Sequence, residues 1–130
     1  MNGADFDLTA ALAADGPQRP LFCGFSAELS GAEAVVYGAP CDSTASYKPG
    51  SRWASVAMRH ASESLETWSP RLDKDLTDFH IADAGELELP LGNMPLVMDK
   101  IRKTTADILR AGAIPIMIGG EHSLTYGAVR

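Results

Sequence analysis

The sequence predicts an α/β protein built on a mainly parallel sheet. Short, largely apolar runs recur at Ala34–Tyr37, Phe79–Ala82 and Ile114–Ile118. Each is followed by a loop and then by a segment with helical spacing. The third run is apolar on both faces, as a parallel interior strand must be. Strands alternating with helices in this way form parallel sheets with right-handed crossovers.

At 130 residues and 13.8 kDa the chain has about one domain's worth of polypeptide. A compact globule of that mass exposes roughly 6,600 Å² and supports a single core. Apolar residues make up 45% and charged residues 22%, which excludes a disordered or fibrous chain. The net charge is −6 and no basic stripe is present, so nucleic acid is not an expected partner. The longest apolar stretches fall far short of the roughly 20 residues a membrane span needs. Met1–Ala14 carries acids where a signal peptide needs a positive start. A cytoplasmic protein without a membrane partner is expected. Cys23 and Cys41 form no CxxC pair and read as small, half-buried apolar residues.

Residues 1–33 read as an amino-terminal extension, and residues 34–130 as the α/β domain. Asp5–Ala14 is a candidate helix stopped at Gly16-Pro17, and an irregular stretch follows around Leu21–Phe25. Ala34-Val35-Val36-Tyr37 is the first strand, ending at Gly38. The Pro-, Ser-, Thr- and Gly-rich stretch Ala39–Ser51 is a long loop. Trp53, Ala57, Ala61, Leu65 and Trp68 recur on one helical stripe that Pro70 closes. Asp73–Asp78 reads as an acidic, solvated turn, and Phe79–Ala82 runs into Asp83-Ala84-Gly85 as the second strand. Pro95 suits the first turn of a helix carrying Val97, Ile101, Thr104, Thr105, Ile108 and Leu109, and Gly112 supplies its stop. Ile114–Ile118 is the third strand, broken by Gly119-Gly120, and Ser123–Arg130 opens another helix.

Ligands of open α/β sheets collect at the carboxyl ends of the strands. Asp42, Ser43, Thr44, Ser46, Tyr47 and Lys48 follow strand one, Asp83, Glu86 and Glu88 follow strand two, and Glu121 and His122 follow strand three. The sharpest element is Gly119-Gly120-Glu121-His122-Ser123, where two glycines turn the chain off a buried strand. They set an imidazole at the sheet edge as a candidate metal ligand. Glu121 can support such a site through hydrogen bonds. A structural histidine, or a helix N-terminus that takes an anion, remains open for the same segment. No phosphate-binding glycine loop and no serine elbow occur, His60 reads as ordinary helix surface, and His80 reads as structural.

Several of these segments resemble the ureohydrolases, the agmatinase and arginase family. Gly38-Ala39-Pro40-Cys41-Asp42-Ser43, with Ser46-Tyr47-Lys48-Pro49-Gly50-Ser51-Arg52, is similar to that family's first motif. Met58-Arg59-His60-Ala61-Ser62 and Ala82-Asp83-Ala84-Gly85-Glu86 resemble two later elements, and Ile118–Ser123 resembles its G-G-[DE]-H-S signature. Trp53-Ala54-Ser55 departs from the usual aromatic-Gly-Pro. The resemblance implies a three-layer α-β-α fold and two Mn²⁺ ions per active site. Those ions would bridge a hydroxide that hydrolyses a guanidino substrate such as agmatine to urea and an amine. It implies His122 as a metal ligand and Glu121 as its hydrogen-bonding support. Asp42, Ser43, Ser46, Tyr47 and Arg52 would form the active-site rim or a contact in a homo-oligomer.

The family's D-A-H-x-D and D-x-D-x-x-D-P motifs do not occur here. One imidazole cannot hold two Mn²⁺ ions, so the expectation is the amino-terminal part of an agmatinase-like enzyme, inactive by itself. The alternative is a non-catalytic half-domain that joins a complementary chain through an exposed edge at Ile114–Ile118.

Overall fold

A computed structural model of the chain describes residues 19–130, so the candidate helix at Asp5–Ala14 lies outside the described residues. Three parallel strands form the main sheet: β1 (Ala34–Ala39), β4 (Ile81–Glu86) and β5 (Ile114–Gly119), in the order β4-β1-β5. The α/β class and the parallel sheet agree with the sequence. Between β1 and β4 lie α1 (Ala54–Ser62) and a small antiparallel hairpin of β2 (Trp68–Ser69) and β3 (Lys74–Asp75). The 17-residue α2 (Met94–Arg110) links β4 to β5, and α3 (Thr125–Val129) follows a 3₁₀ turn at His122–Leu124.

All six residues of β1 are buried, because it is the middle strand. Side chains alternate across a strand, so Val35 and Tyr37 face one layer and Val36 the other. On the first side Val35, Tyr37 and Ala82 join Val97, Ile101 and Ile108 of α2 in one apolar core. There the Tyr37 hydroxyl pairs with Thr105 Oγ1 at 2.8 Å. Burial raises the phenol's pKa, and the Thr105 hydrogen bond opposes that rise. On the second side Asp83, the register partner of Val36, reaches into α1. The helices therefore cover two faces of the sheet, giving three layers.

The helix α2 starts where the sequence places it. Asn93 Oδ1 accepts from Leu96 N–H at the cap, Pro95 sits in the first turn, and Gly112 (φ +84) follows the end. The second helical segment differs from expectation. The helix stops at Ser62 rather than Pro70, and its buried residues are Ser55, Arg59 and Ser62. The stripe is the exposed side, with Trp53 66% and Leu65 61% exposed, while Trp68 belongs to the hairpin. Burial here follows the partners of Arg59, not apolarity.

The acidic turn is a cap. Asp75 Oδ1 accepts from Thr77 N–H at 2.9 Å, and Asp78 Oδ2 accepts from Asp75 N–H at 3.1 Å, closing a 3₁₀ turn at Leu76–Asp78. Hydrogen bonds from the Thr77 N–H first, then from the Thr77 and Thr67 hydroxyls, hold the Asp75 carboxyl below its ordinary pKa. The interior pattern of the third strand is not matched by interior placement: β5 is an edge among the described residues, and Ile114 is 66% exposed. Cys41 is buried, Cys23 is half-buried, and both are free.

Ile108 and Leu109 are neighbours with opposite environments, 0% and 58% exposed. Ile108→Ala should cost about 2–5 kcal/mol through the cavity it leaves. Leu109→Ala should stay within about 0.5 kcal/mol. Urea unfolding of the two variants checks the pair, and equal losses would contradict this placement of α2.

Candidate functional site

The parallel strands deliver three loops to one edge of the sheet, at the carboxyl ends of β1, β4 and β5. The loop after β1 is closed on itself by Asp42. Its Oδ2 accepts from Gly50 N–H at 2.6 Å and Arg52 N–H at 3.2 Å, while its Oδ1 accepts from Arg52 Nε at 2.5 Å. The Arg52 hydrogen bond first, then the Gly50 N–H, holds the Asp42 carboxyl down at about 2 from its ordinary 3.8. The same pairing raises the pKa of the Arg52 guanidinium. Ser43, Ser46 and Tyr47 lie on the exposed arc between these anchors. Tyr47 is 83% exposed, with Lys48 Nζ 5.6 Å from its ring centre.

The turn after β5 rests directly on that loop. Gly120 N–H donates to Ala39 O, and Glu121 N–H donates to Cys41 O, both at 3.0 Å. A Cβ on Gly120 would run into the Cys41 carbonyl, so glycine is required here by close approach. Both N–H groups are used by the neighbouring loop, which removes them as donors to an anion. Glu121 Oε1 accepts from Thr44 N–H at 3.1 Å, from the Thr44 hydroxyl, and from Ser123 Oγ at 3.0 Å. His122 is exposed at the tip, its Nδ1 3.4 Å from Thr125 Oγ1.

Behind the edge lies a buried ionic cluster, which spacing alone does not reveal. Arg59 is 3% exposed and forks onto Asp83 through Nε (2.7 Å) and Nη2 (2.8 Å). Its Nη1 meets Glu86, and its Nη2 also donates to Gly85 O at 3.1 Å. Ser55 Oγ donates to Glu86 Oε2 at 2.6 Å, and Asp83 accepts from Phe22 N–H (2.8 Å) and Gly85 N–H (2.9 Å). Desolvation pushes the Asp83 carboxyl up, but Arg59 and the two N–H groups outweigh it and its pKa is lowered. Desolvation likewise opposes the charge on Arg59, and the two carboxylates overcome it, raising its pKa. The segment before β1 is clipped onto the cluster as well: Cys23 N–H donates to Ser62 Oγ at 2.8 Å, and Ser26 bridges to Ala82.

Of the residues the sequence nominates, Asp42, Arg52, Glu121 and His122 come together at the joined β1 and β5 loops. Ser46 and Tyr47 stand on the exposed arc. Asp83 and Glu86 are bound to Arg59, and Asp42 to Arg52, so these carboxylates are committed to guanidinium groups. No group of three or more His, Cys, Asp or Glu that could hold a metal forms among the described residues. His122 offers a single imidazole donor. The described residues therefore do not make up a two-manganese centre by themselves.

A strand-end loop of the Gly38–Arg52 kind, docked on a Gly-Gly-Glu-His-Ser turn in a three-layer α/β fold, defines a class. The family model described as arginase family matches residues 32–130, and the chain belongs to the arginase family. It is 39% identical over 110 residues to the agmatinase of Bacillus subtilis (strain 168), covering 85% of this chain and 38% of that protein. It is 38% identical over 97 residues to the N(1)-aminopropylagmatine ureohydrolase of Thermococcus kodakarensis, covering 73% and 34%. The crystal structure of the agmatine ureohydrolase of Thermoplasma volcanium superimposes with a TM-score of 0.81 at 34% identity, covering 86% of this chain and 38% of that one. The chain thus spans just over a third of the length of such relatives.

Two predictions follow from the charge pairs. Arg59→Met leaves buried Asp83 with only the 3.9 Å contact to Arg19, and half-buried Glu86 without its guanidinium, and should cost about 3–5 kcal/mol by urea unfolding. A loss below about 1 kcal/mol would contradict the buried cluster. Asp42 has a folded pKa below its unfolded value, so its contribution is complete above about pH 4 and is lost as pH falls towards 2. Asp42→Asn should flatten that part of the acid-unfolding profile, and an unchanged profile between pH 4 and 2 would contradict the pairing.

Proposed function

We propose that this chain supplies the His122-bearing part of a manganese-dependent amidinohydrolase of agmatinase type. The net reaction joins a guanidino substrate and water to give urea and an amine. The observation that carries this reading is the Gly119–Ser123 turn, with His122 at its tip, docked on the loop from β1. The support from relatives is a 39% identity to an agmatinase across most of the chain. His122 serves as one manganese donor, and the remaining donors come from polypeptide outside the described residues. Asp42, Ser43, Ser46, Tyr47 and Arg52 form the active-site rim, with Ser43, Ser46 and Tyr47 on its exposed arc and Asp42 and Arg52 as its anchors. Agmatine is the leading substrate, with arginine, guanidinobutyrate and formiminoglutamate as the alternatives to assay.

We assign the work to the cytoplasm and to a homo-oligomer. No helix among the described residues is long and apolar enough to cross a membrane. Residues 1–33 are assigned to an amino-terminal extension and residues 34–130 to the amino-terminal part of the α/β domain. A second reading is favoured by the exposed edge of β5: a half-domain whose sheet is continued by a partner chain.

Intact protein carrying this sequence, incubated with Mn²⁺ and agmatine, should release urea. His122→Ala should lower that rate by more than the roughly 10- to 100-fold typical of losing a hydrogen-bond partner behind a ligand. Release only after a second polypeptide is added would favour the half-domain reading. Silence on agmatine, arginine, guanidinobutyrate and formiminoglutamate would contradict both the activity and the substrate class.

A further inference from the structure

We infer that Glu121 is a positioning residue: its carboxylate latches the loop of residues 42–52 to the His122 turn and so sets where Ser46 and Tyr47 stand relative to His122. The inference rests on the amidinohydrolase reading for its functional consequence, and on geometry for the latch itself. Glu121 occupies the N-cap position of the 3₁₀ turn His122–Leu124, yet its side chain makes no capping hydrogen bond to that turn. The carboxylate reaches across 77 residues of sequence to the Thr44 N–H and hydroxyl, and takes Ser123 Oγ as well. Its backbone N–H holds the same loop at Cys41 O. Asp42 ties the far end through Gly50 and Arg52, which leaves residues 43–49 as an arc held near its start by Glu121. One carboxylate that takes both Thr44 donors and Ser123 Oγ ties the start of the arc to the His122 turn. The rim residues follow Thr44 directly, and a displaced Thr44 displaces them.

The test is carried out on the intact protein with Mn²⁺, comparing Glu121→Ala, Glu121→Gln and Thr44→Val. Glu121→Ala should speed hydrogen exchange at residues 43–49 about tenfold or more while β1 amides keep their protection. It should also raise KM for agmatine about tenfold with kcat changed less than about threefold. Glu121→Gln keeps a carbonyl acceptor for the Thr44 N–H and should restore most of both. Thr44→Val removes one donor at constant shape, and should give smaller changes in the same direction even if Glu121→Ala fails to fold. Unchanged exchange in the folded variants would overturn the latch. Faster exchange with unchanged KM would overturn the positioning role, as would loss of Mn²⁺ and kcat at unchanged exchange. A wild type silent on every guanidino substrate would overturn the amidinohydrolase reading and the positioning role with it, while the exchange result still decides the latch.

Discussion

The buried pairing of Arg59 with Asp83 and Glu86 is the constraint on which the α1–β4 half of the structure depends. Taking three charges out of water is costly unless every donor and lone pair finds a partner. Here the guanidinium forks onto Asp83 and touches Glu86 and the Gly85 carbonyl, while both Asp83 oxygens also accept from the Phe22 and Gly85 N–H groups and the other Glu86 oxygen accepts from Ser55. Sliding α1 by one residue along β4 would leave these charges buried apart, so the cluster admits a single seating of the helix. The same cluster calls for glycine beside it: a Cβ on Gly38 would meet the Glu86 carboxylate that Arg59 and Ser55 hold, and Gly85 has a left-handed φ of +82°.

That seating governs the functional edge. With α1 fixed, β4 lies beside β1, and β1 in turn registers residue by residue with β5 from Ala34–Ile114 to Ala39–Gly119. The parallel register brings Cys41 and Gly120 into contact, and the loop and the His122 turn are then joined by backbone hydrogen bonds rather than by chance proximity. The site is thus the outcome of a chain of constraints running from a charge cluster, through strand register, to two docked loops.

Much of this was legible in the residues. The three strands, the long α2 with its Asn93–Pro95 entry, and the Gly119–Ser123 turn follow from local patterns of apolarity and turn chemistry. The inward face of α1 was not legible, because periodicity assumes that the apolar stripe is buried, and Arg59 meets a carboxylate 24 residues away. Likewise Glu121 sits beside His122 in sequence, which suggests support for the imidazole, whereas its hydrogen bonds go to Thr44 and Ser123. Long-range polar pairing leaves no periodic signature in a single sequence. Gly120 teaches the same lesson: its turn was visible, but its reason is contact with Cys41 and not an unusual φ.

The proposed role of His122 requires a manganese centre completed by further polypeptide. Three strand-end carboxylates at this edge, Asp42, Asp83 and Glu86, are committed to arginines. The direct measurement is the intact mass of the natural protein carrying this sequence together with its manganese content per chain. A mass well above 13.8 kDa with close to two Mn²⁺ per chain is the predicted result. A 13.8 kDa protein that stays free of manganese, alone and with every co-purifying chain, would contradict it.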